Sequence, residues 1–203
     1  MITININANF DILYYLSNSK IKYKDQTAFE INTMLYLSQL LSLYDGNATS
    51  KWGYVFTRSR FGAPISIEVL EELEILCSSN ILEKDISGYY HLSDLESQSI
   101  IEMLEKLHMF KWRTKYIMAS VDSILTKPFP KVVAAIQQEP GISLLEELRR
   151  TSILHKDFSV DSLFGDFQTI KEIVGGSNIN LVVPASLWID YLSLQAQLEE
   201  TND

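Results

Sequence analysis

The residues of this chain best suited to chemistry are carboxylates. Glu68, Glu71, Glu72 and Glu74 fall within seven positions, and Glu146-Glu147 form a second pair. On a helix, Glu68 lies one turn from both Glu71 and Glu72 on the same face. Such an array could hold a divalent cation, but the Glu-x-x-His spacing of di-iron helices is missing. The reading that fits is a solvated face or an acidic docking surface. His91, His108 and His155 are far apart in sequence, with no partner at zinc-finger or HExxH spacing. The sequence has no GxxxxGKS/T phosphate loop and no GxSxG elbow, and Gly175-Gly176 is followed by no lysine. Cys77 is the one cysteine, so no internal disulfide forms, and it sits on the apolar side of its helix as an inert thiol. These patterns predict a protein that is not an enzyme and that needs neither metal nor cofactor.

The second kind of chemistry is anion or partner recognition. Arg58 and Arg60 alternate on an extended segment, which puts both on one side, with Phe61 behind them. That grouping could clamp a carboxylate or a phosphate. Lys20, Lys22 and Lys24 form the densest positive run and are further candidates for phosphate contacts. Glu68, Glu72, Trp112, Trp188 and Tyr191 join Arg58, Arg60 and Phe61 as candidate partner-binding residues.

The elements that must position these groups are mostly helices. Apolar spacing predicts a first helix from a cap at Asn9, and a second from Thr27 to Tyr44 that is apolar nearly all round. Such a helix is buried on several sides or covered by a partner. Tyr54-Val55-Phe56-Thr57 reads as a strand, and Gly62-Ala63-Pro64 as its end and the start of a third helix. That helix carries Ile65, Val69, Leu70, Leu73, Leu76 and Cys77 at helical spacing, up to Asn80. Ile81–Lys84 and Tyr89–Leu92 then read as a hairpin turning at Gly88. Ser93 and Glu96 match a capping box opening a long helical region to Thr126, with its break at His108–Trp112. Lys127-Pro128-Phe129-Pro130 interrupts it. Beyond lie short helices at 131–138, 143–151, 163–174 and 184–200, and a short strand at 180–183. The predicted fold is mainly α with a small β-hairpin: a winged-helix domain over 1–93, a connecting helical region over 94–127 and a helical C-terminal domain over 128–203.

Charge decides how a winged helix would be used. Lysine and arginine total 17 against 26 acidic residues, for a net charge of −9 and a pI near 4.8. Between Pro64 and Asn80 there are four glutamates and no lysine or arginine. Affinity for DNA rests on neutralising phosphates, so this helix is the wrong sign for a major groove. Protein docking is the better use. The alternative is a winged-helix DNA-binding transcriptional regulator or antitoxin-like protein, using Lys20, Lys22, Lys24, Arg58 and Arg60 on phosphates. The N-terminus has no signal-peptide pattern and no apolar run approaches a membrane span, so a cytoplasmic protein is expected.

The run WGYVFTRSRFGAP, the EVLEELEIL helix and the Gly-bearing hairpin resemble the middle components of ABC-three-component systems, bacterial anti-phage defence operons that include the Lamassu type. The resemblance covers Asn9–Ser93. Ala63 departs from it by standing between Gly62 and Pro64, where the two are expected to be adjacent. The resemblance implies a small accessory subunit seated on an SMC-like or Rad50-like ATPase. It would help to hold an effector, often a nuclease, inactive until foreign DNA is sensed, with any DNA contact passing through the complex. No membrane and no small-molecule substrate is implied.

Overall fold

In the computed structural model the described residues are 4–19, 26–93, 96–147, 152–155, 159–175 and 180–200. The protein is mainly helical with a small antiparallel sheet. Helix α1 (Ile6–Ser19) is followed by β1 (Gln26–Thr27) and α2 (Ala28–Tyr44). A hairpin of β2 (Thr57–Arg58) and β3 (Pro64–Ile65) leads into α3 (Ile67–Ser78), then β4 (Leu82–Lys84) and β5 (Tyr89–Leu92). The helices α4 (Glu96–Lys106), α5 (Lys111–Thr126), α6 (Phe129–Gln137), α7 (Pro140–Glu147), α8 (Ser159–Val174) and α9 (Val182–Glu200) complete it.

Helix α2 is the hub. Its start is fixed by the Thr27–Glu30 capping box: the Thr27 hydroxyl accepts from the Glu30 amide, and the Glu30 carboxylate accepts from the Thr27 amide at 2.7 Å. Every residue from Ile31 to Tyr44 is buried. The covering that its all-round apolarity demands comes from the chain itself, since α5, α1, α3, α6 and β3 all pack on it. One continuous apolar core joins α1, α2 and α3 to α5, α6, α8 and α9.

The three-stranded sheet has the order β1-β5-β4, antiparallel throughout, with Gln26 opposite Tyr90 and Glu83 opposite His91. β1 adds a third strand to the expected hairpin. The chain breaks between α4 and α5 within the predicted His108–Trp112 stretch.

Several local expectations are corrected. α1 begins earlier than a cap at Asn9 implies, because the Asn5 carboxamide oxygen accepts the Asn7 and Ala8 amides at 3.2 and 3.1 Å. Tyr54 and Phe56 are buried as core aromatics, and the strand pairing begins only at Thr57. Gly62-Ala63-Pro64 turns a hairpin rather than opening a helix. Gly62 holds φ +76°, its amide bonds the Ser59 carbonyl at 3.1 Å, and Pro64 pairs across from Arg58. Ser66 caps α3 instead, its hydroxyl accepting from Val69. The strand expected at 180–183 is the start of α9, whose first amide bonds the Asn180 side chain at 3.1 Å. The Ser93–Glu96 capping box lies partly outside the described residues, and the Ser93 hydroxyl donates to the Asn80 carbonyl at 2.9 Å.

Candidate functional site

The β2–β3 hairpin carries an exposed aromatic side chain beside an apolar groove. Its turn lifts Phe61 into solvent, 74 % exposed, with the Arg60 guanidinium 4.8 Å above the ring. The strand ends at Arg58, so Arg60 lies in the turn, and the alternation that put both arginines on one strand face does not apply. Arg58 is half-buried, with a guanidinium nitrogen near Gly62, while Arg60 is exposed. Behind the turn, Phe61, Pro64 and Ile65 close an open, almost wholly apolar groove of about 160 Å³ against Ala28 and Phe29 of α2 and Leu70 of α3. Phe29 itself is partly exposed and meets Phe129 edge-on at 6.3 Å.

The glutamate cluster does not form one face. Glu72 is buried: its carboxylate accepts the Asn5 amide and the Asn9 side-chain amide, tying α3 to α1. Glu68 is half-buried and accepts from the Ser66 hydroxyl at 3.0 Å. Glu74 is exposed and pairs with Lys84 at 3.0 Å, whose hydrogen bond holds its carboxyl below the usual range. Glu72 is therefore removed from the docking residues, and so is Trp188, which is buried edge-on against Phe167. Trp112 is half-buried between Trp52 and Tyr116, with Lys51 over its ring at 4.5 Å. Tyr191 is exposed. Lys20, Lys22 and Lys24 lie outside the described residues, as do the side chains of Glu146 and Glu147. Cys77 is half-buried, and burial pushes its thiol up, away from the reactive thiolate.

Two buried polar centres were not anticipated. In the first, Arg113 of α5 donates from Nε to Asp11 Oδ1 at 2.7 Å and from Nη2 to Oδ2, while Nη1 donates to the Trp52 carbonyl at 2.7 Å. The Tyr54 hydroxyl donates to the same carboxylate at 2.8 Å, and the guanidinium lies 4.1 Å from the Trp52 ring centre. Burial pushes the Asp11 carboxyl up, against the opposing pull of Arg113 and Tyr54. In the second, Tyr36 of α2 donates to Glu139 at 2.9 Å and lies 2.7 Å from His155 Nε2. The Glu139 carboxylate also accepts the Gly141 and Ile142 amides at 3.0 Å each, capping α7. His155 holds a left-handed φ of +58°, and burial pushes its imidazole down. Beside it, Leu154 donates its amide to the Phe56 carbonyl at 2.8 Å, and Ile153 bridges Thr57. Both centres tie distant segments together.

Among the described residues no group of three or more His, Cys, Asp or Glu is placed to hold a metal ion, and no helix is long and apolar enough to cross a membrane. No protein-family model matches the chain, and no curated protein or solved structure matches it.

Proposed function

We propose that this chain is a docking module built on a winged helix. The observation that carries the reading is the exposed Phe61 beside an apolar groove and two arginines, on a surface whose neighbouring helix is acidic. The order α1-β1-α2-α3-β4-β5, with β1 pairing β5 and β5 pairing β4, is that of a winged helix and supports the fold reading. α3, which would occupy a DNA groove, carries four glutamates, one of them bonded back to α1.

More particularly, its role is that of a non-catalytic accessory subunit in a bacterial anti-phage defence complex, bridging an SMC-like or Rad50-like ATPase and an effector nuclease. It helps to keep the effector inactive until foreign DNA is sensed. The resemblance over Asn9–Ser93 supports this role.

Co-expression with the products of the adjacent genes tests it. The chain is expected to co-purify with a large coiled-coil ATPase. Phe61→Asp should weaken that association about tenfold or more, the scale set by removing an aromatic side chain worth roughly 1.5–3 kcal/mol when buried. Its melting temperature should stay unchanged, because Phe61 contributes little to the core. A chain that ignores its neighbours, or that binds duplex DNA with an affinity falling steeply with salt, would overturn the reading in favour of a DNA-binding regulator.

A further inference from the structure

The groove behind the β2–β3 turn has a size and a charge, and together they select what fills it. Its volume of about 160 Å³ is close to the roughly 150 Å³ of a dry apolar cavity that holds one benzene ring. The polar side chains in its wall are already spent. Asn32 accepts the Ser66 amide and donates to the Ala28 carbonyl, both at 2.8 Å, and the Ser59 hydroxyl accepts the Phe61 and Ala63 amides at 3.3 and 3.2 Å. The unit that fits is therefore one aromatic or branched aliphatic side chain. The groove is open, which suits a side chain carried in on another backbone.

The rim carries the charge. From Ala48 to Ile67 the sequence has three cations, Lys51, Arg58 and Arg60, and no carboxylate, in a chain of net charge −9. The Arg60 guanidinium is exposed and lies 4.8 Å from the centre of the Phe61 ring, which forms one wall. Among the described residues no carboxylate pairs with it. The acids of the neighbouring helices are committed elsewhere. Glu30 closes the capping box of α2, Glu68 accepts from Ser66 at the start of α3, and Glu74 pairs with Lys84. The first two sit at helix N-termini, whose partial positive charge offsets them. Glu71 is exposed, but it follows Leu70 and so lies about 100° further round α3. The charge left for a ligand at the Phe61 wall is positive.

We propose that the groove takes one aromatic or branched aliphatic side chain from a segment of a partner protein, with an acidic residue next to that side chain paired to Arg60. The proposal rests on the docking reading of the hairpin and gives it a partner chemistry. Three capped tripeptides test it by NMR titration of the isotope-labelled full chain: acetyl-Glu-Phe-Glu-amide, acetyl-Gln-Phe-Gln-amide and acetyl-Lys-Phe-Lys-amide. Amide shifts should map to the groove walls at Phe29, Phe61 and Ile65, with dissociation constants on the order of millimolar, as suits one buried side chain. The Glu peptide should bind about threefold tighter than the Gln peptide, the scale of one exposed ion pair, and the Lys peptide most weakly. In 1 M NaCl, where the Debye length is about 3 Å, the three should converge. Arg60→Glu, at an exposed position, should reverse the order of the Glu and Lys peptides. No shift at the groove by about 20 mM peptide, equal affinities for the three at low salt, or an order unmoved by Arg60→Glu would each overturn the proposal. Equal affinities beside an intact ATPase association would leave the docking reading standing. Ordered affinities in a chain that ignores its neighbours would support the groove's preference and overturn only that association.

Discussion

Replacing Arg113 by Met leaves the Asp11 carboxylate in the core with its cation gone. Both side chains are fully buried, and the guanidinium spends all three of its nitrogens on Asp11 and the Trp52 carbonyl. Removing one partner of a buried pair costs about 3–5 kcal/mol, because the other is left uncompensated. The Trp52 carbonyl loses its side-chain donor as well. Against a total stability of roughly 5–15 kcal/mol this is a large fraction, equivalent to a fall in melting temperature of about 6–20 °C. Urea titration followed by tryptophan fluorescence reads it directly, since Trp52 lies against the pair. The double variant Asp11→Leu/Arg113→Met removes both charges and should recover most of the loss. The sign with pH is also fixed. Burial already pushes the Asp11 carboxyl up, and without Arg113 its main opposition disappears. The folded chain then binds the Asp11 proton more tightly than the unfolded one. Protonated Asp11 is tolerated at low pH, and stability is lost as pH rises through the folded pKa. The deficit of Arg113→Met should therefore shrink as pH falls from 8 to 5. A loss below 1 kcal/mol, or a double variant no better than the single, would refute this account of the pair.

The second buried centre gives two further expectations. Burial pushes the His155 imidazole down, so the unfolded chain binds its proton more tightly. Stability is full above the unfolded value near 6.5 and falls as pH drops towards the folded one, by at most about 1.4 kcal/mol per unit of separation. His155→Asn, a residue that accepts the left-handed backbone, should lose that part of the acid slope, measured as urea midpoints between pH 5 and 8. Gly141→Ala would place a Cβ 3.0 Å from the His155 ring and 3.1 Å from the Glu139 carboxylate, both fixed in the core. A loss of about 1–3 kcal/mol by thermal melting is expected, whereas Gly165→Ala, in a helix with open space around it, should gain about 0.5–1 kcal/mol.

What the sequence made legible was local. The start of α2 at Thr27, its nearly all-round apolar run and the break before Trp112 all follow from residues within a few positions of one another. The hairpin at Gly62 was missed because Pro64 suits a first helical turn as well as a strand end, and only its pairing with Arg58 separates the two. The buried centres were missed for a different reason. Arg113 reads as part of a basic cluster with Lys111 and Lys115, and its partner is 102 positions away. Yet a signal was present. Arg113 stands in register with Tyr116, Ile117 and Ser120, all buried, and Glu72 in register with Val69 and Leu76. A charge at helical spacing with an apolar face must be either solvent-facing by accident or buried with a partner, and here both are buried and bonded. For His155, in a turn between segments, no periodicity exists to betray its burial.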